Sequence, residues 1–127
     1  FVDTSGLGKV EQIAAYIAQH FTSNLSVKDI GQAVGLNPNY AMSLFQSSFG
    51  TTLVSYLTEL RLSNAQRLLA TTRESISDIA MNSGFNSISR FNTVFKEKCG
   101  CSPREFRERE VVARVPSATS ACHLKNS

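Results

Sequence analysis

Two stretches of this chain repeat one another, and that repeat limits what the chain can fold into more than any other feature. Ser26–Asn37 (SVKDIGQAVGLN) aligns with Ser75–Asn86 (SISDIAMNSGFN) at an offset of 49, with Ser26/Ser75, Asp29/Asp78, Ile30/Ile79, Gly35/Gly84 and Asn37/Asn86 identical. Past this point the second copy gains one residue, so Phe45 and Gly50 match Phe95 and Gly100 at an offset of 50. Thr52 then stands against Ser102, and Tyr56 against Phe106. Self-similarity of this kind marks one supersecondary unit used twice.

Each copy spells two short helices around a tight turn. Ser26 with Asp29, and Ser75 with Asp78, carry the Ser-x-x-acid signature of a helix start, where the hydroxyl accepts from a free backbone N–H. The helix so begun is expected to stop at Gly35 or Gly84, because glycine takes a positive φ at little steric cost. Leu36 and Phe85 follow as apolar residues able to pack the turn against both helices. Asn37 and Asn86 are expected to cap the second helix, with Pro38 suited to its first position. A helix, a short turn with glycine and a second helix make a helix-turn-helix. One copy would be weak evidence; agreement at cap, acid, glycine and closing Phe-x4-Gly is much stronger.

The rest of the chain is organised around these copies. Residues 1–8 (FVDTSGLG) read as a linker, and residues 9–50 as the first helix-turn-helix subdomain. Its opening helix is marked by Val10, Ile13, Ala14, Ile17, Ala18 and Phe21, apolar at three- and four-residue steps. Residues 51–70 form a linker helix with Leu53, Tyr56, Leu57, Leu60, Ala65, Leu68 and Leu69 on its apolar side. Leu53–Ala70 would span roughly 27 Å as a helix, near the ~34 Å recurrence of major-groove faces along duplex DNA. Residues 71–110 form the second subdomain, in which Ser102-Pro103-Arg104-Glu105 starts a last helix. Residues 111–127 lose periodicity, carry Pro116, and read as a disordered tail. Phe1 in place of an initiating Met points to a piece of a longer protein.

Composition excludes more than it assigns. Apolar residues make up 42% and charged residues 18%, as in a folded globular chain, and the net charge of +3 permits a nucleic-acid partner without demanding one. No window is apolar enough for a membrane span or a secretory signal. Cys99, Cys101 and Cys122 have neither disulfide-framework nor zinc-site spacing, and His20 and His123 are not placed to complete a metal site. A reducing compartment and ordinary partly buried thiols are expected, with a redox role for Cys99 and Cys101 as the rival reading. No Ser-His-Asp order, phosphate-binding glycine loop or paired carboxylates point to catalysis.

Gly84-Phe85, Ser87, Ser89, Phe91, Phe95-Lys96, Gly100, Ser102-Pro103 and Phe106-Arg107 resemble the signature of AraC/XylS-type regulators. Tyr40, Leu44-Phe45, Gly50, Tyr56 and Arg61-Leu62 resemble the first unit of the same family, so that the likeness covers about residues 9–110. The resemblance implies an all-α module of about seven helices: two homeodomain-like helix-turn-helix subdomains in tandem, joined by a long central helix. It implies double-stranded DNA as partner, with the second helix of each pair in a major groove, and transcription regulated, commonly activated by contact with RNA polymerase. It also implies a small-molecule effector acting only through an upstream domain, and a cytoplasmic protein without cofactor, metal or membrane attachment. The fragment is expected to be monomeric and the full-length protein dimeric.

An inserted helix reads bases with its outward face. In the first unit Ala41, Leu44, Phe45 and Phe49 are expected to pack inward. Asn39, Met42, Ser43 and Gln46 are then the base-reading candidates, since Asn or Gln pairs with adenine and Met touches a thymine methyl; Tyr40 and Met42 could instead be partly core. In the second unit Phe91, Val94 and Phe95 face inward, and Ile88, Ser89, Arg90, Asn92 and Thr93 are the base-reading candidates. Arg90 would take a guanine, its alternatives being a phosphate or Asp78. Asn37, Tyr40, Ser87, Lys96 and Lys98 suit phosphates. Arg104, Arg107 and Arg109 alternate with Glu105, Glu108 and Glu110, which reads mostly as a solvated helix face. The first unit's second helix carries no Arg or Lys, which favours a rival reading as a helical protein-binding adaptor.

Overall fold

The computed structural model describes residues 8–114, with side chains through Glu110. Cys122, His123 and most of the expected tail lie outside the described residues. The described chain is all helix: α1 (Lys9–His20), α2 (Val27–Val34), α3 (Pro38–Phe49), α4 (Leu53–Thr71), α5 (Ile76–Asn82), α6 (Ile88–Cys99) and α7 (Pro103–Arg114). The expected all-α architecture with two helix-turn-helix pairs, α2–α3 and α5–α6, is what folds. Two compact units divide between Arg61 and Leu62, inside α4.

In the first unit, Ile13 and Ile17 of α1, Ile30 and Val34 of α2, Ala41 and Phe45 of α3, and Leu53 and Leu57 of α4 share one buried core. Removing side chains of this size from water stabilises by about 1.5–3 kcal/mol each, before ordering costs. Ala18, read as part of the inward stripe, is exposed; Ile13 and Ile17 already fill the inward line of α1. The α2 start is a reciprocal cap: Ser26 Oγ accepts from the Asp29 N–H at 3.1 Å, and the Ser26 N–H donates to Asp29 Oδ2 at 3.1 Å. Gly35 ends α2 at φ 75°. Its N–H donates to the Gln32 carbonyl at 3.3 Å, and the Leu36 N–H donates to the Gly31 carbonyl at 2.8 Å, satisfying the last carbonyls of the helix. Lys9 adds its ammonium to the Val34 carbonyl at 2.6 Å, a cation at the negative end of a helix dipole.

The second unit repeats the scheme with different side chains. Leu62, Ala65 and Leu69 of α4 pack with Ile79, Ala80, Phe85, Phe91, Phe95, Cys101 and Phe106. The phenylalanines form a chain, Phe85–Phe91 at 5.0 Å, Phe91–Phe95 at 5.5 Å and Phe95–Phe106 at 5.6 Å between centroids, in the tilted and edge-on geometry that aromatic quadrupoles favour. Buried Ser83 accepts from Asn64 Nδ2 at 3.1 Å, which keeps its hydroxyl from being a lone polar group in the core.

Four further expectations need correction in the helix ends, α4 and α7. The helix α5 ends one residue earlier than its twin, on Ser83, and Gly84 follows at φ 101°. Asn86 does not cap α6; the cap is Ser87, whose Oγ accepts from the Arg90 N–H at 3.2 Å. The residue gained by the second copy lengthens this turn and moves the helix start along by one. The helix α4 has two stripes rather than one apolar side: Leu53 and Leu57 belong to the first core, Leu62, Ala65 and Leu69 to the second. Arg107 is not part of a solvated face. It is half-buried, and its guanidinium donates to the Leu69 and Thr72 carbonyls at 3.2 and 3.3 Å.

Candidate nucleic-acid interface

The second helix of each pair is held along one side only. On α3, Ala41 and Phe45 are fully buried and Leu44 half-buried. On α6, Phe91 and Phe95 are fully buried and Val94 half-buried. That anchoring leaves Asn39, Met42, Ser43 and Gln46 exposed on α3, spaced by three, one and three residues, which is one face of a helix. At an offset of 50 the same face of α6 presents Ser89, Asn92, Thr93 and Lys96, all exposed. The repeat thus carries through to the outward side chains: Asn39 corresponds to Ser89, Met42 to Asn92, Ser43 to Thr93 and Gln46 to Lys96.

Tyr40 and Arg90 also correspond, and both lie on the flank of this row in the first helical turn. Tyr40 is 56% exposed and Met42 36%, so neither is mainly core. Ile88, at the α6 start, is 41% exposed. Lys98 is exposed near the α6 end. Phe49, expected inward, is 44% exposed, with its ring stacked on Phe45 at 4.4 Å and set edge-on to Tyr56 at 5.9 Å. Its position at the last residue of α3 puts one ring face beyond the core.

The helix caps determine which polar groups remain available. Asn37 Oδ1 accepts from the Asn39 N–H at 2.9 Å, leaving its amide NH2 as the donor. The Ser87 oxygen is held by the Arg90 N–H. Both capped ends present N-terminal backbone N–H groups with the positive end of a helix dipole, an environment suited to an anionic oxygen. Gly50 and Gly100 close α3 and α6 at φ 75° and 78°.

The electrostatics of the two units differ. Residues 8–61 hold three cations, Lys9, Lys28 and Arg61, against three carboxylates. Lys9 hydrogen-bonds the Val34 carbonyl, and Arg61 the Phe21 and Ser23 carbonyls at 2.7 and 2.8 Å. Residues 62–110 hold eight cations against six carboxylates, with Arg90, Lys96 and Lys98 on α6 itself. Sequence reasoning noted the neutral α3 but missed the tethering of Lys9 and Arg61 to backbone carbonyls, which only the fold brings within reach.

Cys99 is half-buried and Cys101 buried, and no disulfide joins them. Burial pushes the Cys99 thiol above its ordinary value, the hydrogen bond from Gln66 Nε2 at 3.0 Å opposes this, and Cys101 adds to the rise. A thiol so placed is less often thiolate and less reactive than an exposed one, which counts against the redox reading. Among the described residues, no cluster of metal-ligating side chains occurs and no helix is long and apolar enough to cross a membrane.

Comparison with known proteins meets this geometry. A family model described as a helix-turn-helix domain matches residues 30–109. The melibiose operon regulatory protein of Escherichia coli K12 is 38% identical over 99 residues, covering 78% of this chain and 33% of that protein. This chain therefore spans about a third of the length of that relative. Among solved structures, a transcriptional regulator from Chromobacterium violaceum, described as AraC-type DNA-binding domain-containing, superposes with a TM-score of 0.74. It is 29% identical, with 86% of this chain and 95% of that one covered. The DNA-binding domain of the global transcriptional factor AdpA, solved in complex with a target DNA, shares the fold at a TM-score of 0.79 and 24% identity, covering 88% of this chain and all of that one, 100%. On these matches, and on two helix-turn-helix pairs with exposed second helices, the chain belongs to the AraC-type family of helix-turn-helix DNA-binding domains.

Proposed function

We propose that this chain binds duplex DNA sequence-specifically, laying α3 and α6 each in a major groove, and that the protein carrying it regulates transcription as an activator. The observation that carries the reading is the matched pair of exposed polar rows, Asn39–Met42–Ser43–Gln46 and Ser89–Asn92–Thr93–Lys96, on helices whose opposite sides are locked in cores. A major groove admits a helix presented this way and displays a distinct donor–acceptor pattern for each base pair. Base edges are read by Asn39, Met42, Ser43 and Gln46 on α3 and by Ile88, Ser89, Arg90, Asn92 and Thr93 on α6. The phosphates are held by the Asn37 amide, the Tyr40 hydroxyl, Lys96, Lys98 and the backbone N–H groups beside Ser87, which position the helices without specifying sequence.

The same reading places the protein in the cytoplasm and gives it RNA polymerase as a partner. A small effector and a dimer contact belong to a further domain, since the match covers only 33% of the similar melibiose regulator. The chain acts by binding and not by catalysis.

The test is selection of bound duplexes from a random-sequence library at near-physiological salt, followed by sequencing. Two short motifs at fixed spacing support tandem reading. One motif restricts recognition to one unit. No enrichment overturns the proposal and favours a helical adaptor that binds protein, the reading to which the neutral α3 lends itself.

A further inference from the structure

We propose that the two units divide recognition by chemistry: α3 reads a half-site of A·T pairs through adenine edges and a thymine methyl, with Met42 as the methyl-sensing residue, while α6 supplies the cationic hold on DNA. The inference rests on the DNA reading above and adds the kind of sequence each half of the target contains.

The argument begins from corresponding positions. Where α6 places Arg90 and Lys96, α3 places Tyr40 and Gln46, and where α6 has Lys98, α3 has Ser48. The neutrality extends across residues 8–61, where cations equal carboxylates, with Lys9 and Arg61 spent on backbone carbonyls. DNA affinity that grows by counterion release needs cations at phosphates, and each one steepens the salt dependence. This unit has few to offer.

Its exposed row is instead two amides, a hydroxyl and a thioether. A side-chain amide is matched to adenine, offering a donor to N7 and an acceptor to N6. It has no comparable fit to guanine, whose major-groove edge carries two acceptors and calls for Arg or Lys; α3 has neither. Met42 is the apolar member of the row and 36% exposed. The one apolar group on a major-groove base edge is the thymine 5-methyl. An unbranched, polarisable side chain can settle over that methyl and remove both from water. In α6 the corresponding residue is Asn92, so a methyl-sensing group at this position is particular to the first unit.

The test uses the full chain and the duplex selected from the random library. The half read by α3 is the one whose motif changes with Asn39→Ala. Within it, each thymine is replaced by uracil in turn, which deletes one methyl and leaves every hydrogen-bonding group in place. Binding is expected to weaken about fourfold at one position, the effect of one buried methyl-sized group. That penalty should vanish in Met42→Ala, whose fold is checked by circular dichroism. The slope of log Kd against log salt should stay unchanged in Met42→Ala and fall by about one in Lys96→Ala.

A G·C-rich motif in this half overturns the inference, as does uracil tolerated at every position or a uracil penalty that persists in Met42→Ala. Run over the thymines of both halves with the unaltered chain, the uracil series stands even if a variant misfolds. Failure of the library to yield any duplex overturns the DNA reading itself, whereas a selected duplex indifferent to methyl deletion leaves that reading intact and removes only this one.

Discussion

Arg61 reaches back from α4 to the end of α1, where its Nε donates to the Phe21 carbonyl at 2.7 Å and its terminal nitrogen to the Ser23 carbonyl at 2.8 Å. These carbonyls follow the last turn of α1, where chain ends leave acceptors without helical partners. Hydrogen bonds to a charged donor contribute about 1.5–3 kcal/mol each when shielded, and less where water competes. The Phe21 bond is partly buried and the Ser23 bond exposed. Arg61→Met, which keeps the apolar stem, should therefore destabilise the first unit by about 2–3 kcal/mol. At a urea slope near 1 kcal/mol/M for so small a unit, the midpoint should fall by about 2–3 M.

The chain supplies its own probe for this measurement. Its three tyrosines, Tyr16, Tyr40 and Tyr56, all lie in the first unit, and it contains no tryptophan. Tyrosine fluorescence thus follows the first unit, while far-ultraviolet circular dichroism follows both. Arg61→Lys should recover only part of the loss, because an ammonium cannot present two N–H groups in a planar fork. A fluorescence midpoint that moves by less than about 0.5 M in Arg61→Met refutes the reasoning and returns Arg61 to the status of a solvated cation.

Three other perturbations follow from the same geometry. Gly31→Ala should cost about 1–3 kcal/mol by overpacking, because an added Cβ would lie 2.7 Å from the Leu36 carbonyl oxygen and 3.4 Å from Pro38. Gly50→Ala, with nothing within 4 Å but a φ of 75°, should cost about 1 kcal/mol by backbone strain alone; both are read by urea unfolding, and equal costs would contradict the distinction. The Glu105 carboxyl is held below the ordinary glutamate range by the Ser102 N–H and then the Ser102 hydroxyl. Its contribution is therefore present above the usual glutamate value and is lost as pH falls through the lowered one; NMR titration of the carboxyl should show the low midpoint, and Ser102→Ala should move it partway back. Arg90→Ala should weaken binding to the selected duplex by about 1–3 kcal/mol and relax preference at one base pair, whereas a loss equal across all duplexes would assign Arg90 to a phosphate.

The fold was legible because its signals are local. The caps at Ser26 and Ser75, the left-handed glycines at 35 and 84, and the Phe-x4-Gly closures each lie within a few residues of the structure they specify. The outward faces of α3 and α6 follow from the same periodicity, since fixing Phe45 and Phe95 inward fixes what turns outward. The missed features depend on chain ends that meet only after folding. Arg61 and Arg107 find their carbonyls 40 and 38 residues upstream, a distance at which a charged residue on an exposed helix looks the same whether paired or solvated. The second stripe of α4 was hidden for a related reason. The step from Leu57 to Leu62 is five residues, which breaks a single apolar line and is interpretable only if the helix serves two cores. The Ser87 cap was open to correction from the sequence, since the extra residue of the second copy falls in that turn.

The double duty of α4 bears on how such a module can be inherited. Leu53 and Leu57 complete one core, and Leu62, Ala65 and Leu69 complete the other, along a single uninterrupted helix. The division between them, at Arg61 and Leu62, falls inside the helix with no loop to mark it. A crossover at residues 53–57 strands leucines of the first core and one at residues 62–69 those of the second, and a gap of that size costs several kcal/mol per side chain. Recombination can therefore part the two units only in the short stretch between Leu57 and Leu62, where both cores stay whole. Changing the outward rows in place reaches new target sequences without that constraint, because an exchange anywhere else in the helix would carry part of a neighbour's core away with it.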